Sequence, residues 1–283
     1  MREPQPRRQI PWARQPLAVA GAALVGLYVV AALGAGVLAP HDPLRMYPGQ
    51  ALAAPSAVFP FGTDEFGRCM LSRVVHGARV SLGIAAASVG VAVLLGTTVG
   101  VTAGVRGGVT DNLLMRAADV LFAFPSVLLA LFLVAVLGPA PQYVVLAIGV
   151  VYAPQFARVA RAAVLAIRHV EYVEAARALG ASELRLVTRH ILPNITAPLT
   201  VQVTVTLSLA ILTESALSFL GLGTQPPFPS WGSMLSAGRR FMELAPWVAV
   251  FPGAAIMGIV LGFNLLGDGL QELLDPRLRT ERV

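Results

Sequence analysis

The sequence contains no lysine: all 21 of its basic residues are arginine. A phosphate-binding loop of the Walker A type needs a lysine to reach the phosphates, so this chain holds no such loop. If ATP drives this protein, another chain binds it. Charge of either sign is scarce. Charged residues are 13% of the 283, against about 25% in an ordinary soluble domain. There is one cysteine, Cys69, which excludes an internal disulfide and leaves the redox compartment unread. The four histidines, His41, His76, His169 and His190, are scattered, and none pairs with a cysteine or carboxylate at a metal-ligand spacing. No Ser/His/Asp set, His-Glu-x-x-His motif or paired-carboxylate site is present, so neither catalysis nor a metal site is expected. The formal charge of +6 comes without a dense basic cluster interleaved with aromatics. That pattern fits membrane orientation rather than nucleic-acid binding.

Apolar residues are what the chain has in abundance. They make up 56% of the sequence, and mean hydropathy is +0.71. They lie in long uncharged blocks, and about 18 or more apolar residues in a row mark a candidate membrane span. Residues 1–16 form a polar tail with Arg2, Arg7, Arg8 and Arg14. The uncharged block 17–39 is too long for a signal-peptide core of about 7–15 residues, and is read as the first span. A Pro- and Gly-rich extramembrane loop, 40–79, follows, and Val80 to Val105 is the second uncharged block. The uncharged run 120–157 exceeds one span and is divided at Pro139-Ala140-Pro141, because proline removes a donor and clashes with the preceding turn. Spans are expected over roughly 113–137 and 142–165, with a kink at Pro125 in the first of these. The fifth runs from Ile195 to Gly221 and the sixth from Leu244 to Gly267. Between them the stretch 222–244 reads as a loop, with Trp231 and Trp247 at an interfacial aromatic belt. The core of the protein is expected over 80–268, and 269–283 is a polar tail.

Six spans place both termini on one side. With the termini inside, 15 arginines fall in inner segments and 6 in outer ones. The excess of positive charge on inner loops favours cytoplasmic termini and puts the loop 168–194 in the cytoplasm. No internal repeat is evident, which weakens an inverted-repeat transporter.

That cytoplasmic loop is the most charged part of the chain. It reads as two short helices about a glycine. Tyr172, Ala176 and Leu179 form one apolar stripe, and Leu184, Val187 and Ile191 a second. Gly180 is placed to cap the first helix, Ser182 to start the next, and Pro193 to end it. Ala175, Ala176 and Ala178 keep the surface low, so a partner could approach closely. Such an elbow suits docking to another chain, although a plain connector has the same ingredients. Two carboxylates lie within spans. Glu214, about 10 Å from the middle of the fifth span at 1.5 Å per residue, must face other helices, a pore or the outer boundary, because a charge in hydrocarbon is costly. A structural hydrogen bond and a place in the pathway are both open to it. Asp119 is expected to pair with Arg116, three residues earlier.

The 171–194 segment resembles the EAA loop of ABC-importer permeases. Glu174-Ala175-Ala176, Gly180 and Leu192-Pro193 match that pattern at its spacing; His190 stands at its Ile position, with Ile191 beside it. The resemblance extends over roughly residues 10–280. Phe61-Gly62-Thr63-Asp64-Glu65-Phe66-Gly67-Arg68, Leu71-Ser72-Arg73 and Gly77-Ala78-Arg79 are similar to the segment before the second span in C-type permeases of dipeptide, oligopeptide and nickel importers. So are Asp119-Val120, Ala123-Phe124-Pro125, the run from Leu217 to Gly223, Pro229-Ser230-Trp231-Gly232, the run from Asn264 to Gly269, and Asp275-Pro276-Arg277-Leu278. Cys69-Met70 departs from the Asp and aliphatic residue usual there.

The resemblance implies an all-α polytopic membrane protein with the type I ABC-importer permease fold. It implies half of a heterodimeric pore for peptides or a related solute such as a nickel chelate, in a prokaryotic plasma membrane. The implied partners are a second permease subunit, two ATPase subunits that bind the ATP and magnesium, and an extracytoplasmic binding protein. No cofactor is implied in this chain. The EAA loop would be the helix that enters the ATPase, formed by Glu171, Glu174, Ala175, Ala176, Gly180, Leu192 and Pro193. Glu174 would be its polar anchor and Gly180 its turn. The outer loops 40–79 and 222–244 would receive the binding protein. An ion-coupled transporter would need more buried carboxylates than Asp119 and Glu214, and a membrane enzyme would need a polar cluster.

Overall fold

A computed structural model describes residues 16–274. The tail 1–15 and the motif Asp275-Pro276-Arg277-Leu278 lie outside the described residues. The described residues are helical throughout, apart from loops and one isolated bridge between Thr63 and Cys69.

Helix α1, Pro16–Leu33, is followed by the short α2, Ala35–Leu38. Only Ala18, Gly21 and Ala32 of α1 are buried. A wholly apolar helix with so little of its surface inside the chain is suited to lipid contact. It rests on the last helix, α11, Trp247–Leu274, through small residues. A Cβ on Gly21 would stand 2.4 Å from the Leu266 nitrogen, and one on Gly269 2.4 Å from the Ala18 Cβ.

The main seam joins α3, Met70–Arg106, to α6, Pro141–Ile167. Gly96, Gly100 and Gly104 recur every four residues on α3 and let the two backbones meet. A Cβ would sit 2.2 Å from the Ala153 carbonyl oxygen at Gly96 and 2.2 Å from that of Ala157 at Gly100. Close backbone approach is a main source of cohesion between helices in lipid, where no hydrophobic drive operates between them. The centre of the bundle is filled by Ile148 and Phe156 of α6, Ile211 and Leu217 of α9 (Leu192–Phe219), and Ile259 of α11.

Helices α4, Gly108–Phe122, and α5, Ser126–Leu137, replace the single third span and meet at 90°. The kink expected at Pro125 is thus a full break. Proline supplies no N–H to the ladder and its ring excludes the carbonyl four residues back. The six expected spans therefore appear as five unbroken apolar helices and this bent pair.

Five other features differ from expectation. Helix α3 begins at Met70, ten residues before Val80, so the loop expected over 40–79 ends at Cys69. Its charged first turns are held by the chain itself: the Arg73 guanidinium donates to the Pro43 carbonyl and that of Arg79 to the carbonyls of Ala32 and Leu33. The stretch 222–244 is not a plain loop but carries α10, Trp231–Gly238, started by a capping box between Ser230 and Ser233. Trp231 is not at an aromatic belt. It is fully buried, edge-on to Tyr28, and its indole N–H donates to the Val74 carbonyl at 2.9 Å. Pro193 ends no helix: the chain is helical from Glu183 to Phe219, and α11 runs Trp247–Leu274, past Gly267.

Candidate coupling elbow and intramembrane polar groups

The elbow begins with α7, Glu171–Ala178. Two bonds close its end: the Gly180 N–H donates to the Arg177 carbonyl at 3.0 Å and the Ala181 N–H to the Ala176 carbonyl at 3.1 Å. This is the double closure of a Schellman motif, and it needs the left-handed φ of +83° that Gly180 adopts. Ser182 then caps α8, Glu183–Leu186, accepting from the Arg185 N–H. A single π turn, Val187–Ile191, leads into α9, Leu192–Phe219. The wide turn accommodates Pro193. The Leu192 N–H reaches back to the Val187 carbonyl, and the Asn194 side chain satisfies the His190 carbonyl at 2.7 Å. The elbow is thereby continuous with α9 instead of hinged to it.

Val173, Leu186 and Ile191 are the buried anchors. The apolar stripes read from the sequence divide differently in space. Ile191 is inside, whereas Tyr172 projects, Leu179 is 89% exposed and Leu184 is 74% exposed. Val173 and Leu186, which seat the elbow, were not singled out in the sequence. Their signal was hydrophobicity at positions out of register with the stripe. Glu171, Glu174, Ala175, Gly180 and Pro193 are exposed, and Ala176 and Leu192 half-buried. Glu174 faces the His169 ring at 3.3 Å, and the His190 ring tilts against Tyr172 at 6.2 Å. The result is a low-profile helix with Glu171 and Glu174 exposed in its first turn and two projecting leucines, Leu179 and Leu184, beyond it.

Asp119 does not pair with Arg116. Its carboxylate meets Arg158 of α6 at 2.6 Å, and that guanidinium also lies over the Phe122 ring at 3.9 Å. Two turns earlier on α4, Asp111 grips Arg161 through both carboxylate oxygens, at 2.5 and 2.6 Å. An i to i+3 pair on α4 would leave both arginines of α6 unmatched across the seam. The cross-helix arrangement gives Arg158 a single bond to Asp119 and Arg161 a bidentate one to Asp111. The Asp111–Arg161 pair was missed. The available signal was the repetition of acid on one face of α4 and of arginine on one face of α6.

Glu214 is fully buried. Ser218 Oγ donates to its carboxylate at 2.7 Å, and Ser81 of α3 also hydrogen-bonds to it. Those serines in turn accept from backbone: Ser81 from the Trp231 N–H and Ser218 from the Thr224 N–H, each at 3.3 Å. One carboxylate thus ties α3, α9, α10 and the 222–224 turn together. Alongside it, Tyr152 of α6 and Thr213 of α9 share a hydrogen bond of 2.8 Å.

At the other end of the bundle's loops, Asp64 organises the turn before α3. It accepts from the Phe66 and Arg68 N–H groups, each at 2.9 Å, from Arg68 Nε at 2.7 Å, and lies 3.4 Å from Arg73 Nε. Gly67 has φ +73° and lies against Tyr47, where a Cβ would fall 2.4 Å from the carbonyl oxygen. Cys69 and Met70 are buried beneath the turn, Met70 in an apolar cluster with Met234, Ala245 and Val248. A cleft of about 210 Å³ separates this turn from α10, with Phe66 and Phe228 at its edges.

Residues 96–280 match the binding-protein-dependent transport system inner membrane component family, and residues 12–55 match the N-terminal transmembrane domain of oligopeptide transport permease C. The chain belongs to this permease family. The dipeptide transport system permease protein DppC of Alkalihalophilus pseudofirmus is 43% identical over 264 residues, 93% of this chain and 87% of the relative. The glutathione transport system permease protein GsiD of Pectobacterium atrosepticum is 42% identical over 268 residues, 94% and 89% of the two chains. Among solved structures, an inward-facing MetNI methionine ABC transporter shares the fold, with a TM-score of 0.59 and 20% identity over 73% of this permease and 98% of that chain. The permease is therefore the C-type, multi-pass membrane subunit of an ATP-binding-cassette importer. It forms pore, and ATP hydrolysis belongs to other subunits.

Proposed function

We propose that this permease forms one half of a heterodimeric pore for short peptides or peptide-like solutes in a prokaryotic inner membrane, with both termini cytoplasmic. Relatives named for dipeptide and glutathione transport support that substrate class. The elbow 171–193 seats in a separate ATPase subunit, which holds the ATP and magnesium; this chain needs no cofactor of its own. Glu174 and Glu171 present the charge, and Tyr172, Leu179 and Leu184 the apolar contacts. Closure of two ATPases would move the elbow, and its unbroken helical path into α9 would carry that motion to the pore. This is a two-state element biased by a partner. The Asp64 turn and α10 on the opposite face are offered to the binding protein.

The observation that carries this reading is Leu179. It stands 89% exposed at the tip of a doubly closed turn, a placement that gives nothing to this chain's own fold. Burying a leucine is worth about 1.5–3 kcal/mol. Leu179→Asp should therefore lower retention of the ATPases on co-purification by about tenfold or more and leave the melting temperature of the permease alone unchanged. Full ATPase recovery with Leu179→Asp would overturn the docking role.

A further inference from the structure

A groove of about 600 Å³ runs along α3 from Val93 to Arg106 and is closed on its other side by the elbow and the start of α9. At 1.5 Å per residue it is about 20 Å long, close to the ~15 Å depth of one hydrocarbon leaflet. Its walls are apolar apart from the buried, unpartnered hydroxyl of Thr97. Even Thr98 and Thr102 turn their hydroxyls back to the carbonyls of Leu94 and Thr98 on their own helix, which leaves methyl groups facing out. Only its end near the elbow is charged, with Arg106 from α3 and Glu183 from α8. Arg106 makes no ion pair within 4 Å among the described residues, and the nearest cation to Glu183 is Arg177, at 3.9 Å. The groove therefore has an acyl-chain length, an apolar wall, and one cation and one anion at the same mouth.

We propose that this groove is a binding site for a phospholipid with a zwitterionic amine headgroup, of the phosphatidylethanolamine class. One acyl chain lies between α3 and α9, the phosphate sits on Arg106, and the ammonium sits on Glu183. The charge pattern decides the headgroup. An anionic lipid would satisfy Arg106 and be repelled by Glu183. Bound there, the lipid would brace the elbow against α3 at the point where α8 leaves the membrane boundary.

The test is native mass spectrometry of the assembled importer extracted in mild detergent from bilayers of phosphatidylethanolamine and phosphatidylglycerol. The wild-type assembly should retain phosphatidylethanolamine. Retention should fall at least fivefold in Arg106→Gln and in Leu94→Trp, which fills the groove from an exposed position. Glu183→Gln should shift the preference towards phosphatidylglycerol. Equal retention in all variants would overturn the site, and an unchanged preference in Glu183→Gln would overturn the headgroup assignment. A photoreactive benzoylphenylalanine at Leu94 should label lipid; labelling of a polypeptide would make the groove a contact between subunits and refute the proposal. ATPase subunits are scored in the same spectra, so loss of the lipid and failure of elbow docking are read separately.

Discussion

Gly180→Val tests whether the shape of the elbow, and not only its exposed side chains, is needed for docking. Gly180 lies at φ +83°. An L-residue in the left-handed region costs roughly 1–2 kcal/mol, and a β-branched one sits at the upper end. A Cβ there meets no heavy atom within 4 Å, so no steric clash adds to the conformational term. The chain can escape the strain only by opening the turn. That forfeits the bonds from Gly180 to Arg177 and from Ala181 to Ala176, at about 0.5–1.5 kcal/mol each. Both routes cost about 2 kcal/mol. If the ATPase binds only the closed elbow, that cost becomes a roughly 30-fold weaker Kd. The assay is titration of purified ATPase onto the permease in nanodiscs, with membrane insertion followed as the control. Gly180→Asn is the diagnostic companion. Asparagine tolerates the left-handed region, so it should bind within about threefold of wild type. An unchanged Kd in the valine variant, or equal damage from asparagine, would refute the reasoning.

Gly100→Val should collapse the yield of folded chain, because the new Cβ would lie 2.2 Å from the Ala157 carbonyl oxygen; Gly83→Val, with open space around it, should leave the isolated chain intact. Glu214→Ala should lower the apparent melting temperature in detergent, since it strips the Ser218 and Ser81 hydroxyls of their acceptor, at about 1–3 kcal/mol. Glu214→Gln keeps an acceptor and should recover most of that loss. Asp111→Ala should destabilise more than Asp119→Ala, because the Asp111 side chain is 13% exposed and that of Asp119 59%. The Asp119 variant should fall within the ~1 kcal/mol expected of an exposed pair.

What the sequence could determine about this permease was local. Uncharged runs longer than a bilayer needs, the absence of lysine, Gly180 and Ser182 as caps, and Pro125 as a kink all act within a few residues of themselves, and each signal is visible in one dimension. The family pattern in 174–193 was legible for the same reason. Its spacing is set by one helix end, one left-handed glycine and one proline-tolerant turn. What only the tertiary structure decided was pairing across helices. Asp119 went to Arg158 and not to Arg116, Glu214 became the tie among α3, α9 and α10, and Trp231 left the expected aromatic belt for the core. The start of α3 at Met70 belongs with these, because the Arg73 and Arg79 guanidinium groups donate to carbonyls 30 and 47 residues away. A charge inside a membrane protein must find a partner, and many helices can supply one. Which helix does so depends on where glycines allow two backbones to close, and that is a property of packed surfaces rather than of neighbours in the chain.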